Sequence, residues 1–145
     1  MPWREWPLLV EVTVVALVVE VGLRLSRLPT LARRLGVPLA AEPADAPARR
    51  AIRLDARAQR EWRAVGRVMR HWRGDTGTCL RTALVGGFVL RRLGPRLRLG
   101  VAKVDGRVQA HAWLEIGDRT LDPVGASAFA TLATTNQPAD GEGER

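Results

Sequence analysis

Apolar residues dominate the start of the chain and predict one or two helices there. Between Leu8 and Leu25 they occupy nearly every side of a helical cylinder. Such a helix is usually buried between other elements or against a partner. The alternative is a helix lying on a membrane surface, with Trp3 and Trp6 at the interface and nearby arginines facing phosphates. Pro29 is expected to end the helix because it restricts the residue before it, and Gly36 is a candidate C-cap.

A second helical pattern follows a stretch rich in proline and alanine, residues 38–48, which is interpreted as a linker. Between Arg49 and Trp72, apolar residues recur at steps of three and four and therefore share one face: Trp62, Val65, Met69 and Trp72. Arginines form a stripe elsewhere on this helix. Such a stripe is more typical of a solvated basic face than of a docking surface.

A third helix is predicted from Cys79 to Leu93, because its apolar residues share a face and because Gly94 and Pro95 stop it. Gly86 and Gly87 lie inside it, where glycine lowers helix stability relative to alanine. We expect these two glycines to allow another backbone to pack closely.

Alternation of apolar and polar positions then predicts a small antiparallel sheet. Its strands are expected over 97–104, 107–116 and 119–122, separated by the two-residue turns Asp105-Gly106 and Gly117-Asp118.

The two turns fix the register of the strands, provided that no bulge interrupts them. Gly100 then lies opposite His111, and Trp113 lies opposite Asp122. His111 and Asp122 are therefore diagonal neighbours on one face, at a separation of roughly 7 Å. The glycine opposite His111 leaves room above the imidazole.

Length and composition support one catalytic domain with a helical extension. The chain has 145 residues, of which 46% are hydrophobic. Residues 1–48 are interpreted as an N-terminal hydrophobic helix and linker, 49–131 as the catalytic core and 132–145 as a flexible tail. The net charge of +8 favours an anionic partner. No nucleic-acid fold signature accompanies the charge, so a nucleic-acid role is not expected.

The single cysteine and the apolar first segment bear on where the protein works. One cysteine cannot form an internal disulfide, so the fold does not require an oxidising compartment. The apolar segment contains Glu11, Glu20 and Arg24 and lacks a secretory cleavage site. A cytoplasmic protein, with membrane association as an option, is expected. With one cysteine and two histidines, no zinc-ligand spacing exists, so we expect neither a metal nor another cofactor.

Cys79 is the candidate nucleophile, because the N-terminus of a helix stabilises an anion. Thr78 is the expected N-cap, which places Cys79 in the first turn. His111 is the candidate base and Asp122 its orienting group. The structural alternatives are a buried apolar thiol, a structural histidine and an aspartate in a turn. Gln109 and Trp113 share the face of His111 and are candidates for substrate contact.

Four segments resemble the transglutaminase-like core of lasso-peptide leader peptidases, the peptidase halves of split maturation proteases. They are Thr78-Cys79-Leu80, Leu90-Arg91-Arg92-Leu93-Gly94, Leu99-Gly100-Val101 and Ala110-His111-Ala112-Trp113-Leu114-Glu115. The resemblance is good from about residue 70 to 124, and it maps the catalytic cysteine, histidine and aspartate of that family to Cys79, His111 and Asp122.

The resemblance implies an α+β papain/transglutaminase-like fold, in which the helix that carries the cysteine packs on a small antiparallel sheet. It implies removal of the leader peptide from a ribosomally made lasso-peptide precursor. It also implies a separate protein carrying the RiPP recognition element that holds the leader, and an ATP-dependent macrolactam synthetase that closes the ring. Two alternatives remain. One is a transglutaminase-like acyl transferase or amidase acting on another peptide, and the other is a non-enzymatic basic protein that binds membrane or nucleic acid.

Overall fold

The computed structural model describes residues 3–40, 52–72, 77–121 and 130–131. Most of the predicted linker, the predicted tail and Asp122 lie outside these residues. Within them the chain forms an α+β fold, as predicted. Its helices are α1 (Trp6–Leu25), α2 (Leu28–Arg34), α3 (Ala56–Arg70) and α4 (Thr78–Val89). Its strands are β1 (Arg96–Val104), β2 (Arg107–Ile116), β3 (Arg119–Leu121) and β4 (Ala130–Thr131), in the sheet order β3-β2-β1-β4.

The break between α1 and α2 differs from the prediction. α1 ends at Leu25, and the backbone N–H of Ser26 donates to the carbonyl of Gly22 at 2.9 Å. Pro29 lies in the first turn of α2, where a residue without an N–H leaves no helical hydrogen bond unmade. Pro29 therefore begins the second helix instead of ending the first. Gly36 has φ +73°, the left-handed conformation of a helix C-terminal cap.

α1 is buried on one side only. Its buried residues pack against α3 and α4: Val12, Val15, Ala16 and Val19. Its other side carries exposed large apolar residues which, together with Trp3 of the preceding 3-10 helix (Trp3–Glu5), we call the outer stripe: Trp3, Trp6, Val10, Val14, Leu17, Val18, Val21 and Leu25. None of the described helices is both long and apolar enough to cross a membrane.

α3 begins at Ala56 instead of Arg49. Asp55 sets this start, because its side chain accepts a hydrogen bond from the backbone N–H of Ala58 at 2.6 Å. The predicted apolar face is confirmed. Val65 and Met69 are buried, and two partly buried tryptophans pack against the same core, Trp62 and Trp72.

The glycines of α4 make room for side chains, not for another backbone as predicted. A Cβ on Gly86 would overlap the indole of Trp62 and lie 3.3 Å from Cδ1 of Leu114. A Cβ on Gly87 would lie 2.6 Å from both γ-carbons of Val37. α4 ends at Val89, and a short 3-10 helix (Arg91–Leu93) leads to Gly94, which is left-handed as expected of a stop. Because glycine has no side chain, α4 can pack closely against Trp62, Val37 and Leu114 at these two positions.

We expect the Gly86→Ala variant to lower the free energy of unfolding by about 1–3 kcal/mol, because the added methyl overpacks the contact with Trp62. Gly66→Ala in α3 is the matched control, since a Cβ there meets nothing within 4 Å. That change should raise stability by about 0.5–1 kcal/mol through helix propensity. Urea denaturation of both variants measures the difference. Equal shifts would contradict the close packing at Gly86.

The predicted register of the sheet is confirmed where the structure describes it. Asp105 and Gly106 both have positive φ, 51° and 78°, which suits a two-residue hairpin turn. Gly100 pairs with His111, as expected. At the second turn Ile116 pairs with Arg119, and the last described pair is Leu114 with Leu121.

One strand was not predicted. β4 pairs with β1 through Gly100 and Val101, on the side of β1 away from β2. Leu39 forms an isolated parallel bridge with Leu97 on the same strand, farther from Gly100. At Gly100, β1 therefore pairs with β2 on one side and with β4 on the other. This double pairing holds in place the part of β1 that lies opposite His111.

Candidate active site

Cys79 lies in the first turn of α4, as predicted, but the cap differs. Gly77 is the N-cap, with φ +78°, and as a glycine it has no side chain to cap the helix. Thr78 is the first helical residue instead of the cap. Cys79 is a free, partly buried thiol that packs against the hydrophobic core. Its position among the unpaired N–H groups of a helix start suits a nucleophile that must carry negative charge.

An ion pair that the sequence did not reveal anchors this turn. Arg81 donates from Nε to Oε2 of Glu20 at 2.6 Å. The hydrogen bond from Arg81 lowers the pKa of the Glu20 carboxyl below its ordinary value, and the same bond raises the pKa of Arg81. Glu20 also pairs with Arg24, at 3.0 Å. The pair between Glu20 and Arg81 links the start of α4 to α1 and holds a guanidinium two residues from Cys79.

His111 is buried on β2, with 6% of its surface exposed. Its ring stacks on Trp113, with ring centroids 5.7 Å apart and an interplanar angle of 28°. Trp113 is buried as well. The contact is a ring-on-ring support for the imidazole. Gln109, the other candidate for substrate contact, lies on the exposed part of the same strand.

The two faces of β2 have different surroundings. Leu114 points toward α4, where it would contact a Cβ at either Gly86 or Gly87. The pairing of β1 with β2 is unbroken, so side chains alternate and His111 leaves the strand on the opposite face. Trp113 shares that face with His111. Apolar residues thus hold the sheet to the helices, while the opposite face carries the aromatic and polar groups.

A buried ion pair occupies the same face as His111. Arg98 donates from Nε to Oε1 of Glu115 at 3.1 Å and from Nη2 to Oε2 at 2.8 Å. Arg98 is 1% exposed and Glu115 is 9% exposed. In the register, Arg98 lies opposite Trp113, so the pair is a diagonal neighbour contact beside the stacked rings. The predicted register also places Arg98 diagonal to Glu115, but the ion pair between them was not predicted from the sequence.

The structure brings some of the predicted site residues together. α4, which begins at Cys79, packs on β2 through the face of Leu114, whereas His111 leaves β2 on the opposite face. His111 contacts Trp113, while Gln109 lies apart on the exposed portion of the strand. Asp122 lies outside the described residues. Among the residues that the structure describes, no group of three or more histidine, cysteine, aspartate or glutamate side chains is arranged to hold a metal ion.

Comparison with known families adds to this geometry. Residues 15–134 match the family described as the transglutaminase-like superfamily. Comparison with curated proteins and with solved structures gives no match. The superfamily includes cysteine peptidases and acyltransferases, and its members commonly use a cysteine in catalysis. The matched segment spans most of the chain and contains α4 and the three strands β1, β2 and β3, so the chain belongs to the transglutaminase-like superfamily.

Proposed function

We propose that this protein is a cysteine peptidase that removes the leader from a lasso-peptide precursor, with Cys79, His111 and Asp122 as its catalytic residues. One observation carries the proposal. In a chain of the transglutaminase-like superfamily, the helix that begins at the sole cysteine packs on the strand that holds a buried histidine. These are the two groups that thiol acyl chemistry requires.

Element lengths support an approach of the two groups. α4 and β2 contact each other where Gly86 meets Leu114. Cys79 lies seven residues before Gly86, about 10.5 Å along a helix. His111 lies three residues before Leu114, about 10 Å along a strand. If the two elements run side by side from that contact, both residues lie at the same level along β2. The proposal then requires the imidazole of His111 to reach the thiol from the face of β2 opposite to Leu114, and the alkylation rate of Cys79 in the His111→Ala variant tests this requirement.

The direction of α4 supports the same arrangement. α4 leads through the 3-10 helix into β1, whose first residue, Arg96, pairs with Glu115 near the end of β2. The C-terminal end of α4 therefore lies near the C-terminal end of β2. Its first turn accordingly points toward the earlier part of β2, where His111 lies.

Asp122 enters the proposal through the sheet register. β2 and β3 pair as far as Leu114 with Leu121. Continued by one residue, the same register sets Asp122 opposite Trp113, one diagonal step from His111. In that position the carboxylate accepts a hydrogen bond from one imidazole nitrogen, which leaves the other nitrogen for the thiol.

The proposed reaction proceeds through an acyl-enzyme. The Cys79 sulfur attacks the carbonyl carbon of the last leader residue as His111 takes up the thiol proton. The backbone N–H of Cys79 is one donor to the oxyanion. The peptide C–N bond then breaks, and the proton passes from His111 to the leaving amine of the core peptide. Water, activated by His111, hydrolyses the thioester and releases the leader.

The substrate assignment rests on the segments that resemble leader peptidases, above all the Cys79-Leu80 start of α4 and the stretch from His111 to Glu115. Partners belong to the same proposal. A separate protein with a RiPP recognition element holds the leader, and an ATP-dependent macrolactam synthetase receives the freed core. We propose that these steps take place in the cytoplasm.

The test mixes the protein, its recognition partner and a precursor peptide encoded beside it, and follows the peptide by mass spectrometry. We expect the wild type to release the leader and the Cys79→Ala variant to release none. Both proteins should bind the leader-loaded partner. Hydroxylamine added during the reaction should give a leader hydroxamate from the acyl-enzyme. Absence of cleavage by a folded wild type that binds the loaded partner would overturn the peptidase proposal.

A further inference from the structure

The outer stripe of α1 is a large apolar surface exposed on a charged protein. Its eight residues are between 53% and 79% exposed. They extend from Trp3 to Leu25, a length of about 30 Å along a helix. Contiguous exposed patches of this kind mark interaction sites. Its members in α1 cover about a third of the helix circumference, and an elongated surface of this kind suits an elongated partner.

Two concave surfaces adjoin the stripe and meet at Leu9. The first runs along α1 and has a volume of about 330 Å³, with Trp6 and Val14 at its ends. The second lies between α1 and α3 and has a volume of about 170 Å³. Volumes of this size accommodate individual side chains of a bound segment. The stripe and the second groove thus form one continuous surface.

Arginines line the α3 side of the second groove: Arg60, Arg63 and Arg67. Arg67 is neutralised by Glu5, at 2.6 Å between Nη1 and Oε2. Arg60 and Arg63 are exposed, and none of the described carboxylates forms an ion pair with either. The groove therefore offers positive charge beside an apolar wall, on a protein whose net charge is +8.

We infer that this surface binds an acidic amphipathic helix of a partner protein. The apolar face of that helix covers the outer stripe, and its flanking carboxylates pair with Arg60 and Arg63. An amphipathic helix in an apolar groove is a common mode of recognition, and charge complementarity sets its orientation and partner choice. The inference does not rest on the proposed function, because it uses no residue of the proposed triad.

The form of the surface favours a protein over a lipid bilayer. Helices that lie on an anionic bilayer are held by lysine and arginine on their own flanks, whereas the two arginines that no described carboxylate pairs, Arg60 and Arg63, lie on α3 and line a groove. The concave grooves also match side chains better than a flat bilayer does.

The experiment uses the full-length protein and a synthetic helical peptide of about 20 residues with leucines on one face and glutamates on both flanks. Binding is followed by tryptophan fluorescence, since Trp3 and Trp6 lie in the stripe and are exposed. We expect a blue shift and saturable binding. The double variant Arg60→Glu/Arg63→Glu should bind at least about tenfold more weakly, and so should Val14→Asp. The matched control is Arg33→Glu/Arg34→Glu on α2, whose affinity should stay unchanged.

Three results would overturn the inference, in variants that circular dichroism shows to be folded. Equal binding of a peptide with lysines in place of the glutamates would exclude charge recognition. Binding to vesicles of phosphatidylcholine and phosphatidylglycerol, without binding to the acidic peptide, would assign the surface to lipid. Concentration-dependent dimerisation that Val14→Asp abolishes, again without peptide binding, would assign it to a second copy of the chain.

Discussion

Leader removal is expected to fall by about ten-thousand-fold or more in the His111→Ala variant, because a thiol without its base attacks a peptide carbonyl poorly. A second measurement isolates the coupling of the two groups. Cys79 is the only cysteine, so the rate at which iodoacetamide modifies the protein reports on this thiol alone. That rate, measured at neutral pH, should also fall in His111→Ala if the imidazole stabilises the thiolate.

Val108→Ala is the control for this prediction, since Val108 lies on the same strand and is 75% exposed. Its cleavage and alkylation rates should equal those of the wild type. The alkylation rate distinguishes an imidazole that acts on Cys79 from one that points away from it. The distinction matters because His111 leaves β2 on the face opposite to Leu114, which contacts α4. An unchanged alkylation rate in His111→Ala would mean that the imidazole does not act on Cys79, and the proposed pairing would fail.

Replacing Glu115 with alanine should lower the free energy of unfolding by about 3–5 kcal/mol, because it leaves the guanidinium of Arg98 buried without its carboxylate. The pair is bidentate and both partners are almost fully buried. Its loss should also disturb the stacked rings of His111 and Trp113, which share its face. Urea denaturation, followed by tryptophan fluorescence, measures the change in stability.

The double variant Arg98→Met/Glu115→Leu tests whether the cost comes from the buried guanidinium that has lost the Glu115 carboxylate. An apolar pair of similar volume should restore much of the stability lost in Glu115→Ala, since replacing both members of a buried ion pair is often tolerated. If Glu115→Ala costs less than about 1 kcal/mol, the pair behaves like a surface salt bridge, and its assigned role in holding this face of the sheet is wrong.

The sheet was more predictable from the sequence than the helices were. Asp105-Gly106 and Gly117-Asp118 each select a two-residue turn, and a turn of known length fixes every pair that follows it. The pairing of Gly100 with His111 therefore follows from the sequence alone. The position of Cys79 in a first turn was equally accessible, although Gly77 and not Thr78 caps the helix.

The features that escaped prediction depend on contacts between distant segments. β4 is two residues long and carries no pattern of its own. The glycines of α4 suggested close packing, but only the fold shows that Trp62 and Val37 fill the space. Pro29 is compatible with either the end or the start of a helix, and the choice depended on where α1 stopped. Burial of Arg98 likewise depends on what surrounds the sheet.

The packing of α1 has a consequence for how the protein is made. The buried side of α1 contacts α3 and α4, and α4 ends at Val89, 64 residues after Leu25 by subtraction of the two numbers. At ordinary translation rates the ribosome needs about 3–13 seconds to add that much chain. During this time both sides of an apolar helix face solvent. Co-expression with a partner that covers α1 should therefore increase the soluble yield more than adding the same partner after synthesis.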